Sequence, residues 1–181
     1  MATLTYYTAT TLDGFLADQH DSLAWLLRQD LDEHGSANYG DFIRDIGAIV
    51  MGATTYEWVR QHDPDNWEYT MPTWVMTHRD LAAPPGADVR FSQGSVRQVY
   101  DEMAAAAGDK QLWVVGGGDL AGQFADEGLL DEIVVNIAPV ILGAGRQLLP
   151  RRLELELLET GRNAGFVTAR YRVAGRLLED R

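Results

Sequence analysis

Cysteine is absent from the 181 residues. That excludes disulfides, thiolate zinc sites and a cysteine nucleophile together. Positive charge is scarce as well: 15 Lys plus Arg stand against 27 Asp plus Glu, a formal net charge of −12. A surface of that sign repels the phosphate backbone of DNA or RNA, so no nucleic-acid partner is expected. No run of about 18 apolar residues is present, which leaves nothing to span a membrane as a helix. The N-terminal MATLTYYTAT carries neither the basic region nor the apolar core of a signal peptide, and a cytoplasmic location is expected by default. No two of the four His stand at ligand spacing on one helix, and no metal site is expected. Internal repeats and low-complexity segments are missing too. What remains, with 46% hydrophobic residues, fits one globular domain over 1–181.

Against these absences the stretch Gln111 to Phe124, QLWVVGGGDLAGQF, stands out. Leu112, Trp113, Val114 and Val115 form the apolar run of a buried strand, and Gly116, Gly117 and Gly118 allow a sharp turn into a helix beginning near Asp119. The open N–H groups of such a first turn, here including Asp119 and Leu120, attract an anion, most often a phosphate. Gly116, Gly118 and Ala121 fit GxGxxA, but the dinucleotide fingerprint also wants an acid at the end of the next strand, and that strand ends Asn136, Ile137, Ala138, Pro139. No Lys follows the glycines, which excludes a P-loop. A glycine turn of this kind is by itself more often structural than functional, so a second one carries weight. Ile46 to Met51 form another apolar strand, closed by Gly52. There Thr54 and Glu57 fit a capping box, while the N–H groups of Ala53, Thr54 and Thr55 offer a second phosphate site on the same edge of the sheet.

The rest of the chain places these two junctions. Residues 3–10 read as a first strand, broken at Asp13 and Gly14. Asp21 or Ser22 is placed to cap a short helix carrying Leu23, Trp25, Leu26 and Leu27. A helix over roughly 37–45 leads into the Ile46 strand, and the loop 62–72 leads to a strand from Thr73 to Thr77, followed at once by His78 and Arg79. A short strand, Ala87 to Phe91, precedes a helix introduced by Ser92 to Ser95 and running through about Ala107. Strands alternating with helices imply a mainly parallel sheet covered on both faces. The tail departs from this: alternation at Leu153, Leu155 and Leu157 and at Val167, Ala169, Tyr171 and Val173, around the loop 161–165, predicts an antiparallel hairpin.

Taken in order, TLDGFLA (11–17), IVMGATTYEWV (49–59), VMTHR (75–79), LWVVGGGDLAGQF (112–124) and LLDEIVVNIAPVILGAGRQLL (129–149) resemble a stand-alone member of the RibD C-terminal, dihydrofolate-reductase-like family. The resemblance implies a dihydrofolate-reductase fold with a mixed sheet. It implies an NADPH site at the helix starts after Gly52 and after Gly116 to Gly118, with Thr77, His78 and Arg79 at the adenosine 2′-phosphate and the Ser92 hydroxyl assisting. Relatives often place a basic residue directly after the glycine of the MGxxT turn. This chain has Ala53, which leaves Arg79 as the principal cation and keeps NADH open as the alternative cofactor. The pyrimidine reductases of riboflavin synthesis usually carry a Glu before the paired glycines, where this chain has Val115, and are commonly fused to a zinc deaminase domain, for which a chain without Cys has no ligands. The implied activity is hydride transfer to a small pterin- or pyrimidine-like substrate. Dihydrofolate reductases draw their proton from a carboxylate on the first helix beside a Trp-containing segment, and the nearest counterpart is Asp21, ahead of Trp25, with a helix cap as its competing role. Asp41 is a weaker choice for the same role. Stand-alone relatives commonly pair, and the Leu-rich hairpin would leave apolar surface at a sheet edge, so a homodimer is expected. The rival reading is a nucleotide-binding or dimerising module of the same fold without chemistry.

Overall fold

Apolar runs that do not alternate become strands covered on both faces, and such strands form the centre of the computed structural model, which describes residues 2–179. In chain order the elements are β1 (Leu4–Thr11), β2 (Phe15–Ala17), α1 (Ala24–Leu27), α2 (Tyr39–Arg44), β3 (Ile46–Gly52), α3 (Ala53–His62), β4 (Thr73–Met76), β5 (Val89–Ser92), α4 (Val96–Ala107), β6 (Gln111–Gly116), α5 (Gly118–Asp126), β7 (Glu132–Ala138), β8 (Arg146–Gln147), β9 (Leu153–Asn163) and β10 (Phe166–Arg176). Eight strands form one sheet in the order β5-β4-β3-β6-β1-β7-β10-β9. The contacts from β5 through β7 are all parallel, and β10 runs antiparallel to both β7 and β9. This is the mixed, mostly parallel sheet with a C-terminal antiparallel hairpin that the alternation of apolar patterns predicts.

Each face of the sheet has its own core. On one side Val99 and Met103 of α4 and Leu120 and Phe124 of α5 pack on Leu4, Tyr6, Val50 and Leu112. On the other, Ile49, Met51, Val75 and Trp113 meet Tyr56 of α3, with Phe42 of α2 and Tyr7 packed against them. Each such large apolar side chain, fully buried, contributes about 1.5–3 kcal/mol. The hairpin turns at Ala164 and Gly165, and β9 forms the outer edge with Leu155, Leu157 and Leu158 exposed. No helix among the described residues is long and apolar enough to cross a membrane.

The helix starts differ from the expectation in ways that matter for the site. The N-cap of α3 is Gly52 itself, in an extended conformation, with no side-chain cap. The capping box of Thr54 and Glu57 therefore does not form: the helix begins early enough that Thr54 lies within its first turn, and Glu57 reaches Arg79 instead. The cap of α1 is Leu23, also without a side-chain bond, so neither Asp21 nor Ser22 takes that position; Asp21 sits at φ 61 in the preceding loop. Two short strands, β2 and β8, pair with each other in a separate sheet. Three and two residues are too few for a periodic pattern, and the sequence offers no sign of them.

Candidate active site

Parallel strands end on the same edge of a sheet. Because β3 and β6 are neighbours, with Met51 opposite Gly116, the starts of α3 and α5 stand side by side there. Both open onto a cleft of about 2130 Å³. That exceeds the roughly 300–1,000 Å³ of a pocket for one small ligand and leaves room for a dinucleotide and a substrate together. The cleft is lined by Gly52, Ala53, Thr54 and Thr55, by Thr77, His78 and Ser92, and by Gly116, Gly117, Gly118, Asp119 and Leu120. Of the residues expected at a cofactor, only Arg79 is outside the lining.

The two helix starts share a property that decides their chemistry. Neither Gly52 nor Gly117 supplies a side-chain cap, whereas Ser95 of α4 accepts the Gln98 N–H at 3.2 Å and Asn38 of α2 accepts the Asp41 N–H at 2.8 Å. The first main-chain bond of α5 runs from the Ala121 N–H to the Gly117 carbonyl, 3.1 Å. The N–H groups of Gly118, Asp119 and Leu120 accordingly have no partner within the helix, and those of Ala53, Thr54 and Thr55 are placed alike. The glycines are not equivalent. A Cβ on Gly117 would meet nothing within 4 Å, while one on Gly118 would lie 2.4 Å from the Leu148 carbonyl oxygen and 2.5 Å from that of Gln147.

A hydrogen-bonded corner closes one side of the cleft. The Thr77 N–H donates to the Ser92 carbonyl at 3.0 Å, the Arg79 N–H to Thr77 Oγ1 at 2.9 Å, and the Gly94 N–H to Ser92 Oγ at 3.1 Å. His78 is exposed at the rim. The Arg79 guanidinium pairs with the Glu57 carboxylate, both half exposed. At the start of α5, Asp119 accepts from Gln123 Nε2 at 2.9 Å and pairs with Arg151 Nη1 at 3.1 Å; these bonds hold its carboxyl below the usual range.

Asp21 lines the cleft, but its surroundings oppose the part of a proton donor. The Arg146 guanidinium grips it through Nε at 2.6 Å and Nη2 at 3.1 Å. That hydrogen bonding lowers its pKa, where a donor near neutral pH needs the opposite shift. Asp21 is therefore an anchor that ties the loop before α1 to β8. Asp41 is exposed and pairs with Arg44.

The sequence reading missed the aromatic wall of the same cleft. Tyr7, Tyr39, Tyr69 and Trp113 line it. Phe42 stacks on Tyr7 at 4.2 Å, and Trp113 meets Tyr7, Tyr39 and Tyr69 edge-on at 6.2, 5.9 and 6.0 Å. Trp113 Nε1 donates to the Tyr7 carbonyl at 3.1 Å, and the Tyr7 hydroxyl to the Ala37 carbonyl at 2.8 Å. Burial raises the pKa of Tyr7 and Tyr39, keeping both phenols neutral. Asn136, 8% exposed, stands on the adjacent strand opposite Ala9. The period of two along Tyr7 and Ala9, and along Trp113 and Val115, was the available signal, because alternate residues share a face. The loop of residues 31–38 reaches the cleft under the hold of buried Asn163, which exchanges two bonds of 2.9 Å with the Asp32 backbone.

Comparison with known proteins follows the same outline. The profile of the RibD C-terminal domain matches residues 2–162. Two uncharacterized proteins of Bacillus subtilis (strain 168) are similar: YwjB, 27% identical over 139 residues, covering 77% of this chain and 78% of its own length, and YyaP, 25% identical over 164 residues, covering 84% of each. Among solved structures, a protein named for riboflavin biosynthesis from Shewanella sp. PV-4 superposes with a TM-score of 0.80 at 26% identity, over 96% of this chain and 99% of that one. The diaminohydroxyphosphoribosylaminopyrimidine deaminase/5-amino-6-(5-phosphoribosylamino)uracil reductase of Thermotoga maritima shares the fold at a TM-score of 0.65 and 16% identity, over 96% of this chain and 57% of that one.

Proposed function

This chain belongs to the RibD C-terminal domain family, and from that premise we propose that it is an NADPH-dependent reductase that acts on a small planar substrate in the cleft above β1, β3 and β6. The observation that carries the reading is the pair of uncapped helix starts, α3 and α5, opening side by side onto one cleft. Their N–H groups, from Ala53 to Thr55 and from Gly118 to Leu120, would hold the pyrophosphate, with the positive ends of both helix dipoles adding to the attraction. The absence of a Cβ at Gly117 leaves the phosphates a path to the main chain. The Thr77, Arg79 and Ser92 corner would take the adenosine 2′-phosphate; Arg79 turns to it by leaving Glu57. NADPH, when bound, supplies the hydride.

The chain's own share of the chemistry is to position the substrate and exclude water from it. Tyr7, Trp113 and their neighbours give a ring-lined wall, and Asn136 a neutral amide able to donate and accept at its edge. Among the described residues none of the carboxylates lining the cleft is buried, so the proton that accompanies the hydride comes from solvent. A panel of pterin, pyrimidine and quinone acceptors, followed by loss of NADPH absorbance, tests the reading: turnover with at least one acceptor supports a reductase. NADPH binding without any turnover favours a nucleotide-binding module, the second reading, for which Val115 and the engagement of Asp21 by Arg146 speak.

We propose in addition that the protein is a homodimer joined along β9. That edge strand is 11 residues long and exposes Leu155 at 43% and Leu157 at 55%, an invitation to a second copy. Light scattering at micromolar concentration is expected to give twice the chain mass, and the monomer mass would reject the dimer.

A further inference from the structure

The charges around the cleft restrict the substrate, and this restriction rests on the reductase reading above. Among the described residues six carboxylates line it, Asp21, Asp32, Glu33, Asp41, Glu57 and Asp119, against two guanidiniums, Arg44 and Arg146; Asp119 is paired with Arg151 outside the lining, and Asp32 and Glu33 have no ion pair. Both guanidiniums are already committed within the chain, Arg44 to Asp41 and Arg146 to Asp21. At the rim, Arg79 is held by Glu57 in the same way. The uncapped helix starts are the remaining anion sites of the cleft among the described residues, and the cofactor would fill them.

We infer that the substrate of this chain is an uncharged or cationic planar heteroaromatic compound carrying no phosphate, recognised by the Tyr7–Trp113 wall, with Asp21 as the residue that withholds Arg146 from anions. A phosphorylated substrate would find no free guanidinium among the described residues of the cleft and would meet the carboxylates of Asp32 and Glu33, which have no ion pair, whereas phosphate recognition elsewhere relies on uncommitted Arg or Lys. A flat neutral ring meets the opposite circumstances: aromatic faces and edges at the wall, and neutral hydrogen-bonding groups beside it. The Asp21–Arg146 pair is suited to enforce the rule because its two-point geometry is specific and because Asp21 comes from the loop before α1 while Arg146 comes from β8, so that breaking it frees the cation without removing an element of the main sheet.

The test uses the full chain saturated with NADP+, at pH 8, where ordinary imidazoles are neutral. Riboflavin and its 5′-phosphate, flavin mononucleotide, serve as planar probes differing by one phosphate, and dissociation constants are read from quenching of flavin fluorescence. Riboflavin is expected to bind at least about tenfold more tightly, the factor of one charged hydrogen bond. In Asp21→Asn, which keeps a residue tolerant of the positive φ at this position, the freed Arg146 should close the gap by about tenfold, through flavin mononucleotide alone. Arg146→Gln should leave the gap at least as wide as in the wild type. Equal or tighter wild-type binding of flavin mononucleotide, no binding of either probe, or an unchanged gap in Asp21→Asn would overturn the inference. The preliminary NADP+ titration keeps the two claims apart: failure there rejects the reductase reading itself, whereas saturation followed by a preference for the phosphate rejects the substrate class alone.

Discussion

The junctions β3–α3 and β6–α5 have the same construction, an apolar parallel strand, a glycine and an uncapped helix, yet they differ in how much their glycines are constrained. A Cβ on Gly52 would have only the Gly116 carbonyl oxygen near it, at 3.9 Å, an ordinary contact. A Cβ on Gly118 would collide with main-chain oxygens at the end of β8, those of Gln147 and Leu148. The electrostatics differ too: the first turn of α3 has no acidic residue, while that of α5 carries Asp119, held by Arg151. The shared feature, a row of open N–H groups, is backbone chemistry, and it is suited to an anion at either junction. The difference teaches that a glycine in such a turn can face open cleft, as Gly117 does, or be required by a neighbouring segment, as Gly118 is, and that the sequence pattern does not distinguish them.

Substitutions at these glycines break the comparison most sharply. Gly118→Val forces a side chain into the Gln147 and Leu148 carbonyls, an overpacking defect of about 3 kcal/mol, and thermal unfolding should fall by roughly 6–12 °C. Gly117→Val places its side chain in open cleft, so the melting temperature should stay near that of the wild type. NADPH affinity, measured by calorimetry, should then drop by at least about a hundredfold, roughly 2.7 kcal/mol. Unchanged affinity in that folded variant would remove the turn from the cofactor site.

A smaller effect is expected at the rim. Arg79 is half exposed and shared with Glu57, so a charged bond to the 2′-phosphate sits at the low end of its usual range, about 1.5 kcal/mol. Arg79→Ala should weaken NADPH by about tenfold and leave NADH nearly unchanged. Parallel losses for both cofactors would show that Arg79 does not read the phosphate, and tighter wild-type binding of NADH would reject the preference for NADPH. The smallest effect belongs to Gly52→Ala. With only an ordinary contact to meet, it should shift neither melting temperature nor NADPH affinity measurably, and a loss like that of Gly117→Val would make the two junctions equally constrained.

The fold was legible because its signals are local. Unbroken apolar runs at Ile46 to Met51 and Leu112 to Val115 mark strands covered on both faces, and the alternation from Leu153 onward marks the hairpin. The helix starts were legible in place but not in detail: Thr54 and Glu57 have the spacing of a capping box, yet the extended Gly52 already serves as N-cap and Glu57 is drawn to Arg79. What the sequence hid depends on long-range contact. Asp21 meets Arg146 across 125 positions, and the Tyr7–Trp113 contact joins β1 to β6. Neither has a local signature, so a carboxylate near a Trp read as a proton donor and a Tyr-rich strand read as only a strand.

The central claim is that one dinucleotide lies across both helix starts. Its most direct test is the change in amide N–H chemical shifts as NADPH is titrated into the isotope-labelled protein. Saturable shifts should be largest at Ala53, Thr54 and Thr55 and at Gly118, Asp119 and Leu120, with Thr77 and Arg79 following. Saturable shifts confined to one of the two turns, or absent from both, would contradict the account.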